Sequence, residues 1–474
     1  MPLGLNIALL LVVAVVSAAG IAVLLWWGLG QPAIAVHGPW TATESFNFAK
    51  IVLAIVGGIG GVVALVVAYR KQQLGEAAER RENTKLFAER FTKAADQLGS
   101  DKAAVRLAGV YAMGELADDW HAGQQTCIDV LCAYLRMPYT PPVEPSDEQP
   151  SHPRANGVGL RKPNPHAGKP LNHVADPTST IDTYRAAREE QQVRHTVIRL
   201  ITAHLRPPAA VSWQGRNFDF TGAVFDGGDF NGAEFTGGTV DFSHAEFTGG
   251  TVDFDGAKFT GGKVSFFSAQ FTGGRVDFFS AQFASGRVNF NRAKLAGGKV
   301  SFAHAEFAGS KVDFVEAEFT RGTVDFFRAE FAGGRVDFFG ALFTGGNVHF
   351  GHAKFTGGNV HFGHAKFTSC TVHFDDAHFT RGTVHFDDAL FAGGTVSFDR
   401  AHFAGGTVSF DRARFTGGTA RFGRATFAGG IVDFSRVGGW SHPTDLDLWD
   451  TPRPGLLLLQ RPAEATDPEE TPTP

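Results

Sequence analysis

Cysteine, methionine and tyrosine are almost missing: 3, 3 and 5 of 474 residues. Cys127, Cys132 and Cys370 form no CxxC pair and are too few for a disulfide framework, which fits a reducing compartment. A basic excess is missing too. The formal net charge is -5, whereas proteins that grip phosphate backbones or acidic lipid carry clear positive charge. There is no GxSxG, no HExxH, no P-loop and no Cys/His pairing, so the usual hydrolytic and nucleotide-binding chemistries lack their starting residues. His, Asp and Ser recur only by copying, whereas a catalytic site is a unique constellation. Neither enzymatic activity nor a cofactor is expected. What abounds is phenylalanine and glycine, 45 and 58 residues. An ordinary core mixes Leu, Ile, Val and Phe, so this bias means a short motif written many times.

Two apolar runs stand near the N-terminus. Leu5 to Trp27 carries no charge, and at about 1.5 Å rise per residue it can cross a roughly 30 Å hydrocarbon core. Trp26 and Trp27 end it, where indoles favour the interface. A signal peptide would need a basic n-region, which is missing, so an uncleaved anchor is the better reading. The second run is Phe48 to Tyr69, with Lys50 placed to snorkel. Its Gly57-Gly58-Ile59-Gly60-Gly61 centre predicts close packing on the first run. Arg70, Lys71, Arg80 and Arg81 follow, while 28–47 holds no Lys or Arg. The positive-inside rule then puts both termini and the rest of the chain in the cytoplasm. Residues 1–71 are thus expected to be a transmembrane helical hairpin of a multi-pass cell-membrane protein.

Residues 72–137 read as a cytoplasmic helical neck. Leu86, Phe87, Phe91, Ala94 and Leu98 recur at helical spacing. Ser100 is placed to cap a second helix from Asp101, and a third is expected from Gln124 to Arg136. Over 138–180 proline recurs and periodicity vanishes, which predicts a disordered linker. Its His152, His166 and His173 are scattered surface residues, not a metal site. A helix over 181–206, with Val193, Ile198, Ile201 and Leu205 in a stripe, is expected to dock on the neck and lead into the array.

From Asn217 the character changes. Phe220, Phe225, Phe230 and Phe235 are spaced by five, and then the period becomes twelve. Two copies are AEFTGGTVDFSH from Ala233 and AEFTGGTVDFDG from Ala245; seventeen run from Ala233 to Arg436. Residues i and i+2 of an extended segment face one way. Ala245, Phe247, Val252 and Phe254 therefore point inward, Glu246 and Asp253 outward, and Thr248 to Thr251 turn a corner. One copy cannot bury its own two phenylalanines, so folding requires a stack of copies about 4.8 Å apart. The expected core ladder is Phe220, Phe225, Phe230, Phe235, Phe242, Phe247, Phe254 and Phe259.

The run NFDFTGAVFDGGDFNGAEFTG resembles the pentapeptide-repeat family, whose unit has a central Leu or Phe and a small residue two before it. Ala223 precedes Phe225 and Ala233 precedes Phe235 in that manner. The resemblance implies a right-handed, square β-helix with four five-residue faces per coil, over 213–436. Beyond the first coil the phenylalanines alternate between seven and five apart, so two residues are inserted at every second corner. That gives a variant 12-residue repeat with two copies, roughly 24 residues, per turn. A flatter solenoid with one copy per turn is the alternative; two copies suit the square first coil better. Two spans, a neck and repeats together also resemble bacterial membrane proteins of this family.

Outward positions carry function if any do. The residue before the VxF phenylalanine is mostly Asp early (Asp241, Asp253, Asp277, Asp313, Asp325, Asp337). It is then His four times running: His349, His361, His373 and His385. With His352, His364, Asp375, Asp376, Asp387 and Asp388 nearby, that strip is the candidate metal site; against it, duplication alone produces such ladders. Some relatives in the family imitate duplex DNA and bind gyrase through an acidic surface. Here Lys263, Arg275, Arg287, Lys299 and Lys311 interleave with the Asp residues, which disfavours mimicry, and nucleic acid is disfavoured as a partner. Residues 437–474 are expected to cap the last coil through Val437 to Trp440 and then to form a disordered tail, with Leu456 to Leu459 able to dock. The reading favoured is a membrane-anchored scaffold that shows a rigid β-helical surface to a protein partner. A regulator of a DNA-processing enzyme and a metal binder are the alternatives, and a homo-oligomer is left open.

Overall fold

The computed structural model describes residues 41–144, 177–440 and 455–457, with isolated positions between 12 and 28. The chain divides into two compact units, 1–89 and 90–474. One helix, α1 (Ala42–Leu98), runs without interruption for 57 residues. Three others follow: α2 (Ala103–Asp119), α3 (Gln124–Arg136) and α4 (Pro177–Leu205).

The two-span hairpin is corrected here. Among the described residues no helix is long and apolar enough to cross a membrane. The expected second span does not end at Tyr69. It is the leading part of α1, which continues through Arg70, Lys71, Arg80 and Arg81. Four glycines, 57, 58, 60 and 61, also thin its apolar content. Their expected partner, the first run, falls mostly outside the described residues; among the described residues nothing lies within 4 Å of where a Cβ on any of the four would stand. Most of the first expected span falls outside the described residues. The multi-pass placement and the orientation drawn from the basic residues fall with the hairpin. The linker expected over 138–180 lies mostly outside the described residues as well.

Helices α2, α3 and α4 form a small bundle. Val110, Met113, Leu116, Ile128, Leu131, Val197 and Ile201 are its buried centre. Gly114 lets α4 approach so closely that a Cβ there would lie 2.7 Å from a Leu200 methyl. Ser100 does not cap α2. Its hydroxyl accepts from the Lys102 amide at 3.3 Å, and Lys102 holds the cap position without a side-chain bond.

The array is a right-handed β-solenoid of about nine turns. Short parallel strands build four faces. The first runs from Phe218–Asp219 to Ile431–Asp433, the second from Val224–Phe225 to Arg414–Phe415. The third runs from Gly228–Asp229 to Thr419–Arg421, and the fourth from Glu234–Phe235 to Thr426–Phe427. Phe247 pairs with Phe271 and Val276 with Val300, so two copies of the repeat close one turn. The first turn is tighter, because Phe225 already pairs with Phe247.

The interior follows from the repeat. Ala245, Phe247, Val252 and Phe254 are all buried. Phe254 lies parallel to Phe230 and Phe278, each 4.8 Å away. It crosses Phe242 edge-on at 6.0 Å and 88°. Opposite faces therefore send interlocking edge-to-face columns into the centre, each such pair adding about 0.5–1.5 kcal/mol to the burial of the rings. The wide corner needs glycine. Gly262 has φ +76°, and a Cβ on it would stand 2.5 Å from the carbonyl oxygen of Gly238 one turn below.

At the short corner the backbone turns left-handed at its third residue. The amide of Ala245 bonds back to the Phe242 carbonyl at 3.0 Å, and His244 between them has φ +59°. Fourteen described non-glycine residues have positive φ, all at this position. An L-residue there costs about 1–2 kcal/mol, of which glycine's extra unfolded-state freedom returns up to about 1 kcal/mol. Ser280→Gly, at φ +53°, should therefore raise stability by about 0.5–1 kcal/mol. A rise in the thermal midpoint checks this, and a fall would refute it.

Both ends are covered. At the N-terminal end α3 and α4 pack on the first coil, where Trp213, Phe218 and Phe220 are buried. At the other end Gly439–Trp440 pairs with Arg414–Phe415, and Leu456–Leu457 pairs with the last strand of the first face. Phe434 beneath them is fully buried.

Candidate functional site

Each 12-residue copy crosses two faces, so consecutive copies lie on opposite sides of the solenoid. Vertical neighbours are two copies apart in sequence. The sequence strip His349, His361, His373, His385 therefore divides. His349 and His373 are neighbours on the third face, with rings 4.8 Å apart and parallel to 1°. His361 and His385 are neighbours on the first face, 5.6 Å apart and inclined by 52°. The four-histidine ligand set is thus corrected to two pairs. Among the described residues no group of three or more His, Cys, Asp or Glu is arranged to hold a metal ion.

What the structure brings together is a pattern written twice. On the third face and its following corner, four layers read Asp325-Phe-Phe327, His349-Phe-Gly351-His352, His373-Phe-Asp375-Asp376 and Ser397-Phe-Asp399-Arg400. Half a turn later the first face repeats it as Asp337-Phe-Phe339, His361-Phe-Gly363-His364, His385-Phe-Asp387-Asp388 and Ser409-Phe-Asp411-Arg412. His373 Nδ1 lies 3.2 Å from Asp375, and His385 Nδ1 lies 3.2 Å from Asp387. Arg400 forks onto Asp376 at 2.9 and 2.7 Å, and Arg412 onto Asp388 at 2.9 and 2.8 Å. The planar guanidinium matches the two carboxylate oxygens.

Electrostatics keep Asp375, Asp376 and Asp388 charged. Burial pushes Asp375 up, but hydrogen bonds from His373 and Ser397 outweigh it and leave the carboxyl below its usual range. Burial and the neighbouring His373 push His349 below the ordinary histidine value. The arrangement does not make a nucleophile. Ser397 donates its hydroxyl to Asp375, and Ser409 donates to Asp387. Each serine thus shares a carboxylate with a histidine instead of giving its proton to that histidine, which is what activation requires.

An open groove of about 510 Å³ lies on the third face, bordered by Lys299, Asp325, Phe327, His349, His373 and Asp375. Its aromatic wall, Phe327, escaped the sequence reading, as did two exposed rings elsewhere on the solenoid. Phe279, Phe327 and Phe339 are the second rings of FF doublets, and each is exposed. They pack against corner histidines: Phe279 on His304 at 5.1 Å, Phe327 on His352 at 5.4 Å and Phe339 on His364 at 5.0 Å. The doublet was the available signal, since an inward repeat needs only one ring there.

The acidic column does not imitate a phosphate strip. Lys299 pairs with Asp325 at 2.8 Å and Arg335 with Asp337 at 2.6 Å. Asp313 is buried between Arg287 at 2.6 Å and Lys311 at 3.1 Å. Neighbouring cations neutralise these carboxylates where a mimic needs them bare.

The family model described as pentapeptide repeats (9 copies) matches residues 220–270 and 393–438. No curated protein and no solved structure matches the chain.

Proposed function

We propose that this member of the pentapeptide-repeat family is a non-catalytic protein-interaction module, a scaffold whose solenoid offers two matched His/Asp columns to a protein partner. One observation carries the reading. The same four-layer pattern recurs on opposite faces, with its histidines and arginines bonded to its carboxylates, and with Ser397 and Ser409 donating to those carboxylates and not to a histidine that could activate them. A rigid solenoid holds such groups at fixed spacing without ordering cost on binding, which favours recognition. Helices α2 to α4, and residues 437–440 with 455–457, serve as its end caps in this reading.

The test is crosslinking of the tagged full chain in cells. It is compared with a variant carrying His373→Asn, Asp376→Asn, His385→Asn and Asp388→Asn. A reproducible partner, lost in the variant while the circular dichroism spectrum stays native, is the expected result. A partner retained by the variant would move recognition off the columns. Recovery of the chain's own copies alone would replace the scaffold reading with self-assembly.

A further inference from the structure

The two written copies of the site are not in the same state. On the first face the ring of His361 lies over Gly363. Its Cε1 is 2.8 Å from the place a Cβ on Gly363 would take. The ring is nearly parallel to Phe339, at 6.1 Å and 9°, and its Nδ1 is 3.6 Å from Asp337. On the third face the matching His349 has turned the other way, flat against His373. The nearest atoms beyond its chain neighbours that a Cβ on Gly351 would meet are two edge carbons of the Phe327 ring at 3.4 and 3.8 Å and the Asp375 carbonyl at 3.7 Å. Matching Asp, Phe, His and Gly residues thus frame one notch filled by an imidazole and one left open into the groove, while Thr323 and Arg328 on the third face stand where Arg335 and Gly340 stand on the first.

We infer that the open notch over Gly351 is a docking site for one histidine side chain presented by a protein partner, for which His361 in the matching notch is the internal stand-in. The inference rests on the protein-interaction reading above. Size is set by the stand-in: a five-membered planar ring fills the space between glycine and phenylalanine. Charge then selects among planar groups. The notch is bordered by both Lys299 and Asp325. A guanidinium would meet the lysine ammonium, and a carboxylate would meet Asp325, Asp375 and Asp376. A neutral imidazole carries one donor nitrogen, which can face Asp325 as the Nδ1 of His361 faces Asp337 at 3.6 Å in the matching notch, leaving Lys299 in its 2.8 Å pair with Asp325. Its face lies on Phe327, whose partly exposed ring also takes His352 edge-on at 5.4 Å and the Arg328 guanidinium at 5.2 Å. Glycine is required at 351 because any larger side chain would occupy the ring's place, as the phenylalanines at 279 and 327 do in the same column.

The experiment uses the full chain and the probe N-acetyl-histidine methylamide, followed by saturation-transfer NMR. Wild type should give a signal that Gly351→Phe abolishes. Phenylalanine already stands at two positions of that column, so the coil accommodates it. His361→Ser, which copies Ser265 and Ser409 of its own column, should vacate the second notch and roughly double the signal. The double variant should return to about the wild-type value. Phe327→Ala removes the stacking wall without touching the core and should weaken the signal at least several-fold, which keeps the test decisive if Gly351→Phe fails to fold. Equal signal from wild type and Gly351→Phe, or no increase with His361→Ser, would overturn the assignment. So would an equal response to N-acetyl-arginine methylamide. Probe failure with a column-dependent crosslinked partner would sink this inference alone, whereas probe binding without such a partner would sink the interaction reading alone.

Discussion

Phe326→Ala should destabilise the solenoid by about 3–5 kcal/mol, the range for removing a fully buried ring. Phe326 is wholly buried in mid-array. It stacks on Phe302 at 5.0 Å and on Phe350 at 4.7 Å, and it crosses Phe314 and Phe338 edge-on at 6.5 and 6.3 Å. Backbone ladders above and below hold the coil at a fixed spacing, so the cavity cannot close by collapse. A turn touches only its neighbours, so the loss concentrates at one level. The urea transition, followed by circular dichroism, should shift to lower concentration and broaden as the two halves lose cooperativity. Phe326→Leu should cost far less, about 1.5 kcal/mol or under, since Leu295 already holds a buried ring position between Phe271 and Phe319. A loss below about 1 kcal/mol for the alanine variant would mean that ring stacking is not what holds the coils.

How far the residues alone disclosed this molecule depends on distance along the chain. The inward set Ala245, Phe247, Val252, Phe254 was legible because alternation in a strand is local. The turn of two copies was favoured but not forced, since a period of twelve suits either coil until Phe247 is seen to pair with Phe271. That ambiguity hid the site. With one copy per turn the four histidines would stack as one strip; with two copies they split into two pairs. The choice of His349 to lie on His373, and of His361 to lie over Gly363, is a rotamer matter that no spacing encodes. The apolar window Phe48 to Tyr69 misled because hydropathy was read in isolation, while α1 continues beyond it through charged residues to Leu98. The junction between helices and solenoid was invisible for another reason. Asp226 accepts from Tyr139 at 2.6 Å and Gln191 at 2.8 Å, and lies 3.1 Å from His195. Those partners are 87, 35 and 31 residues away, beyond any local pattern.

Arg194 governs that junction, and Arg194→Met should cost about 3–5 kcal/mol, as does breaking other buried charge networks. The residue is 3% exposed. Its guanidinium donates to the carbonyls of Tyr134 and Leu135 at the end of α3, and to Val224 of the first coil at 3.3 Å. Its carbon lies 4.4 Å from the centre of the Tyr139 ring. Terminal helix carbonyls have no partner within the helix, so they depend on such a donor. Burial lowers the basicity of the guanidinium, and the nearby Glu190 carboxylate opposes that shift. Methionine fills the volume but takes the guanidinium donor from the Leu135 and Val224 carbonyls, leaves Tyr134 only the Met137 amide, and removes the cation facing Glu190 and Asp226. Lysine keeps the charge yet cannot fork across three acceptors, so Arg194→Lys should fall between. The helical cap should then part from the first coil, and the strand edges of Phe218–Asp219 and Val224–Phe225 should open to pairing with other chains. Light scattering at rising temperature should detect aggregation earlier for the methionine variant than for wild type. Limited proteolysis should cleave between α3 and the first coil. If the variant melts and scatters as wild type does, the hydrogen bonds of Arg194 are incidental, and the cap is held by its apolar contacts and the Asp226 hub instead.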